Sequence, residues 1–330
     1  MTLAPRTTIA MRYKIVSLLG RGGMGHVYRA EHLLLRKEVA LKVLDAQLDG
    51  DLGLRFEREA LATARLDHPS CVRVLDYGRT LAGLQFIAME LCDGPTLAAM
   101  LAGGTRLSVA RAVWIARSLL AGLAHAHRNG ILHRDVKPEN VMFARRGEAV
   151  RPVLIDFGLA RIRDGGPLTA AGTCVGSPSY LAPERLLGRF YDARADLYAV
   201  GVVLYEMLAG ERPIAGSGPQ EILRGHVDRP PRPLRAVRPD VPAALEAVVA
   251  RALAKDPARR FADAEAMMSA LADVPLTLDE PAAAPVKARV DEATTMAIAA
   301  LDRPAWPIRL WSWLRFGGWR WSVAQPPAGR

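Results

Sequence analysis

The run His133-Arg134-Asp135-Val136-Lys137-Pro138-Glu139-Asn140, followed by Asp156-Phe157-Gly158, constrains this chain more than any other feature. It sets a carboxylate, an ammonium and an amide within one short stretch and adds a second carboxylate downstream. Phosphoryl transfer needs that set. One carboxylate orients the attacking hydroxyl and accepts its proton, while the amide and the second carboxylate hold the metal that neutralises a triphosphate.

Upstream, Gly20-Arg21-Gly22-Gly23-Met24-Gly25-His26-Val27 reads G-x-G-x-x-G-x-V. The spacing also occurs in dinucleotide-binding units, where it opens a helix. Here the flanks are β-prone, Tyr13 to Leu19 before and Val27 to Ala30 after, which predicts the tip of a hairpin. Glycines at such a tip leave backbone N–H groups free to approach phosphate oxygens. Val39-Ala40-Leu41-Lys42 follows on a short apolar strand. An isolated lysine is ordinarily a solvated surface residue, but a lysine held inside a cleft needs a partner anion to stay charged. The helical segment Arg55 to Leu61 offers Glu57 and Glu59, either of which could equally be a surface charge.

Taken together, these motifs resemble the bacterial eukaryotic-like Ser/Thr protein kinase family over roughly residues 11 to 272. The resemblance implies an α+β, two-lobed protein-kinase fold: a small antiparallel β lobe with one main helix, then a larger, mainly helical lobe. It implies that Asp135 is the catalytic base, that Lys137 steadies the γ-phosphate and that Asn140 and Asp156 bind Mg²⁺, with Mn²⁺ as an alternative. It makes Lys42 the contact to the α- and β-phosphates and favours Glu59 over Glu57 as its partner. Leu19, Gly20, Arg21, Gly22, Gly23, Met24, Gly25, His26, Val27 and Ala40 then cover ATP. Met89 becomes the residue beside the adenine pocket, the main chain of Glu90 and Cys92 meets the purine edge, and Met142 and Ile155 line its floor. Glu184 of Ala182-Pro183-Glu184 closes the activation segment and pairs with Arg260, and Asp196 braces the catalytic loop from below.

The same resemblance narrows the acceptor. Lys137 two residues after Asp135, and Ser177 further on, follow the Ser/Thr pattern, so the expected partners are ATP and proteins carrying Ser or Thr acceptors. Arg134, directly before the base, implies a phosphate on the activation segment, with Thr169 and Thr173 as the candidate autophosphorylation sites. A non-catalytic scaffold of this family would lack one of Lys42, Asp135, Asn140 or Asp156, and none is lost. Small-molecule phosphotransferases of related fold generally lack the Ala-Pro-Glu segment.

Composition excludes other classes. The formal charge is +10, yet 38 of the 44 basic residues are arginine and they are dispersed, so no nucleic-acid partner is expected. Cys71, Cys92 and Cys174 are too few and too far apart for a disulfide framework or a zinc site. A reducing, cytoplasmic setting is expected, since the first residues lack the apolar core of a signal peptide. The apolar run 197–205 is short and Glu206 interrupts it, so it reads as a core helix and not a membrane span.

The expected organisation is a flexible N-terminus over 1–10, a five-stranded lobe over 11–92 and a helical lobe over 93–272. A Pro/Ala-rich linker over 273–300 and a Trp/Arg-rich tail over 301–330 follow. Helices are expected at Val109 to Asn129, stopped by Gly130, from about Asp192 to Leu208, and at Pro242 to Lys255. The tail holds five of the six tryptophans among five arginines. Peripheral membrane contact, packing on the lobes and absence of function are its three readings, the last two together favoured over the first.

Overall fold

The computed structural model describes residues 2–22, 25–44, 50–146, 149–157 and 178–275. The Pro/Ala-rich segment beyond Pro275, the tail, Thr169, Thr173, Cys174 and Ser177 lie outside the described residues. The first lobe comprises β1 (Thr8–Ile9), β2 (Tyr13–Gly22), β3 (Gly25–His32), β4 (Lys37–Leu44), helix α1 (Gly50–Thr63), β5 (Val74–Arg79) and β6 (Gln85–Glu90). The strands form one antiparallel sheet in the order β1-β2-β3-β4-β6-β5.

The sheet has six strands and not the five expected, and the N-terminus is not a loose extension. Thr8 and Ile9 pair with Lys14 and Tyr13, Ile9 is buried, and the N–H of Leu3 donates to the Tyr28 hydroxyl at 2.9 Å. A two-residue strand has no periodicity to read, and what holds it is an apolar face that the fold supplies.

Alternation along the strands divides the sheet into two faces. Tyr28, Leu41 and Ala88 lie side by side on one, in a cluster with Tyr13, Phe86 and Ile9. The register places Val27, Lys42 and Ile87 in a row on the other, with Ala40 opposite Met89 one step along. The outer core therefore anchors the strands while the inner face is left for the cleft.

The second lobe contains α2 (Leu97–Leu101), α3 (Val109–Arg128), the hairpin β7 (Val141–Arg146) and β8 (Ala149–Leu154), then α4 (Pro183–Leu186) and α5 (Arg194–Ala209). Helices α6 (Pro219–Asp228), α7 (Leu234–Val237), α8 (Ala243–Ala252) and α9 (Ala264–Ala272) complete it. Ser108 caps α3 by accepting from the N–H of Arg111, and Gly130, at φ 72°, follows its end in a conformation that suits glycine. All of α5 except Arg194 and Glu206 is buried, as expected of a helix apolar on every side. Gly201 lets α5 approach α8 closely: a Cβ there would sit 2.8 Å from that of Ala252.

Candidate active site

The β7–β8 hairpin assembles the downstream half of the site. Val141 pairs with Leu154, so Asn140, just before β7, is brought beside Ile155 and Asp156, just after β8. The N–H of Ile155 donates to the Asn140 carbonyl at 3.0 Å. Both side-chain N–H bonds of Asn140 are directed at Asp135, one to its carbonyl at 2.8 Å and one to Oδ2 at 3.0 Å. Lys137 Nζ lies 2.9 Å from the same Oδ2. Asp135, Lys137, Asn140 and Asp156 therefore form a single cluster, although they come from two loops.

The upstream half reaches it through Lys42. Its Nζ donates to Asp156 Oδ1 at 2.8 Å, joining the two lobes. Burial opposes ionisation of Asp156, but the charge and hydrogen bond of Lys42 outweigh it and hold the carboxyl below the usual range. The anion beside Lys42 is thus Asp156; the side chain of Glu59 lies outside the described residues.

The glycine segment is a hairpin tip, with Gly22 opposite Gly25 and Gly23 and Met24 outside the described residues. Gly25 is required by space as well as by backbone freedom, because a Cβ there would fall 2.0 Å from the Val43 carbonyl oxygen. Gly20 pairs with Val27 after a bulge at Leu19, which keeps both on the face of Lys42. Arg21 pairs with His26, which stacks on Tyr28 at 6.1 Å, on the opposite face. Ala40, Met89, Cys92, Met142 and Ile155 all belong to one apolar cluster at the lobe junction. Glu90 gives its N–H to the Arg73 carbonyl at 3.0 Å.

The catalytic-loop conformation is imposed from α5. Asp196, 3% exposed, accepts from the N–H of His133 at 2.9 Å and of Arg134 at 2.8 Å, and from His127 Nε2 at 2.8 Å. Burial raises its carboxyl, but the His127 hydrogen bond leads the contacts that bring it below the usual range. Arg134 sits at φ 68°, a costly conformation for a side-chain-bearing residue that these bonds sustain. His133 is fully buried, which keeps it below the usual histidine range. Its neutral ring donates from Nε2 to the Ile155 carbonyl at 3.0 Å and accepts the Asp135 N–H at Nδ1 at 3.3 Å. His127 and His133 were assigned no role from sequence. Asp196, the partner of His127, and Ile155, which His133 bonds through Nε2, are remote in the chain, and a histidine by itself gives no sign of them. Below, Arg260 grips Glu184 with two bonds of 2.7 Å.

The protein kinase domain family matches residues 13–271. The chain belongs to the protein kinase domain family. Serine/threonine-protein kinase pkn3 of Myxococcus xanthus is 42% identical over 273 residues, 80% of this chain and 50% of that protein. PknD of Mycobacterium tuberculosis is 40% identical over 291 residues, 87% of this chain and 43% of that one. PknB of the same species is 40% identical over 303 residues, 90% and 48% respectively. The chain spans half or less of the length of these curated relatives. Within the kinase domain, no described helix is long and apolar enough to cross a membrane.

Proposed function

We propose that the chain is a serine/threonine protein kinase that transfers the ATP γ-phosphoryl group to Ser or Thr hydroxyls of proteins. The observation that carries this reading is the convergence of Asp135, Lys137 and Asn140 with the Lys42–Asp156 pair. In this reading Asp135 orients the acceptor hydroxyl and takes its proton, and Lys137, already beside Asp135, meets the transferring phosphoryl. Lys42 and the glycine hairpin hold the remaining phosphates. Met89, Ala40, Met142 and Ile155 enclose the purine, the Glu90 carbonyl and Cys92 N–H meeting its edge.

The donor set suits Mg²⁺. Asn140 spends its amide hydrogens on Asp135 and so has its oxygen to offer, and Asp156 adds a carboxylate held ionised. Hard oxygen ligands shared with phosphates are what this cation prefers, and when bound it would neutralise developing phosphate charge. Catalysis is then mostly positioning and electrostatics.

Activation belongs to the same proposal: Thr169 or Thr173, once phosphorylated, pairs with Arg134 through charge-assisted hydrogen bonds. Mass spectrometry before and after phosphatase treatment tests it, and full activity with neither threonine modified ends it. For the chemistry, Asp135→Asn is expected to fold and bind ATP yet lose transfer, whereas Asp156→Ala also weakens Mg²⁺-dependent nucleotide binding. Near wild-type turnover by Asp135→Asn overturns the assignment.

A further inference from the structure

Residues 178–182 run past the catalytic loop, and Tyr180, Leu181 and Ala182 share a small cavity with Asp135. Pro178–Tyr180 is a single helical turn whose described backbone bond, Leu181 N–H to the Pro178 carbonyl, is long at 3.4 Å. A turn so weakly closed is placed by its tertiary contacts. Two side-chain hydrogen bonds fall at consecutive residues, and His226 of α6 also interacts with the Ser179 backbone. Glu206, on the one polar position in the body of α5, accepts the Tyr180 hydroxyl at 2.7 Å. Arg212, in the loop between α5 and α6, donates to the hydroxyl of Ser179, which is only 2% exposed.

Exposed arginines in loops usually serve solubility, but this one reaches a buried hydroxyl and sits in an interacting group. Burial pushes the Glu206 carboxyl up; the Tyr180 hydrogen bond and the Arg212 cation pull it back, and Glu139 pushes it up again. Arg212 therefore supports both contacts, directly at Ser179 and by its charge at Glu206. None of its described contacts reaches Lys42, Asn140 or Asp156.

We propose that Arg212 is a substrate-positioning residue, pinning Ser179 so that the Tyr180–Ala182 wall stands beside Asp135 where an acceptor peptide must lie. The proposal rests on the reading of Asp135 as the base. It concerns the peptide, not the nucleotide.

The test uses the full chain and a fluorescein-labelled peptide copying residues 165–176, read both by anisotropy and by steady-state phosphorylation. Arg212→Ala is expected to weaken peptide binding and raise its KM by about tenfold, equivalent to ~1.4 kcal/mol, with the ATP KM unchanged. Ser179→Ala should give a similar loss, and the double variant should be no worse than the stronger single one. Arg212→Lys should recover part of the affinity. Peptide affinity within about twofold of wild type in Arg212→Ala overturns the proposal, as do fully multiplying effects in the double variant. So does a parallel fall in ATP affinity and thermal stability. Wild-type peptide binding without phosphorylation would sink the reading of Asp135 as the base and the positioning role with it, whereas unchanged peptide binding and KM in Arg212→Ala, with phosphorylation intact, sinks the positioning role alone.

Discussion

Lys42 Nζ and Asp156 Oδ1 lie 2.8 Å apart, one on a strand of the small lobe and the other just past the hairpin of the large lobe. The contact joins the two sides of the cleft. Lys42→Met should lower kcat by about 10²–10³, the usual cost of losing one oriented donor at a reacting centre. It should also raise the Asp156 carboxyl, because the burial that opposes its charge remains while the leading cation is gone. Titration of ¹³C-labelled aspartate in wild type and variant checks the sign; an unmoved Asp156 defeats the prediction.

Asp196 should make the protein's stability depend on acid. Its folded-state carboxyl lies below its ordinary value, so its contribution is present above the unfolded value near pH ~3.9 and is lost as pH falls through the folded one. Asp196→Asn should cost about 2–3 kcal/mol at neutral pH, since its amide replaces one of the two oxygens that accept backbone N–H bonds. Urea unfolding at neutral pH and below about pH 4 should show the wild-type advantage shrinking in acid. A gap independent of pH counts against this account.

The Arg260–Glu184 pair is buried at 2% and 5% exposure. Arg260→Ala should cost roughly 3–5 kcal/mol by stranding a buried carboxylate. It also removes donors from the carbonyls of Ala254, Arg194 and Lys255. Glu184→Gln keeps those three bonds and should cost less. Equal destabilisation of the two variants in thermal melts would contradict this ranking.

Gly25→Ala should damage nucleotide binding before it damages the fold. The added carbon would enter the space of the Val43 carbonyl oxygen, 2.0 Å away, so β3 and β4 must separate at the hairpin tip. The rest of the sheet rests on its outer cluster and stays paired. An ATP KM raised at least fivefold, with a melting temperature lowered by only a few degrees, is the expected result; unchanged ATP KM refutes it.

Helices α3 and α5 were legible because their apolar runs are long and end at a serine cap or a glycine, and α8 because its apolar run begins directly after Pro242. The strand Thr8–Ile9 was not, since two residues carry no period and its stability comes from contact with β2. Lys42, Asp135, Lys137, Asn140 and Asp156 were legible as a set because the required residue types stand in a recognisable order. The faces of Arg21 and His26 were not, because they depend on register at a hairpin with bulges.

By itself, the sequence determined which groups are present, the longer helices and the strands around the glycine segment, and the family to which the chain belongs. Only the tertiary structure decided that Lys42 meets Asp156, that Asp196 gathers His127, His133 and Arg134, and that Arg212 reaches Ser179. The physical reason is the short range of hydrogen bonds and ion pairs, whose partners here are far apart along the chain. Local residue preferences specify the elements; packing around α5 and pairing of β7 with β8 specify which side chains come within that range.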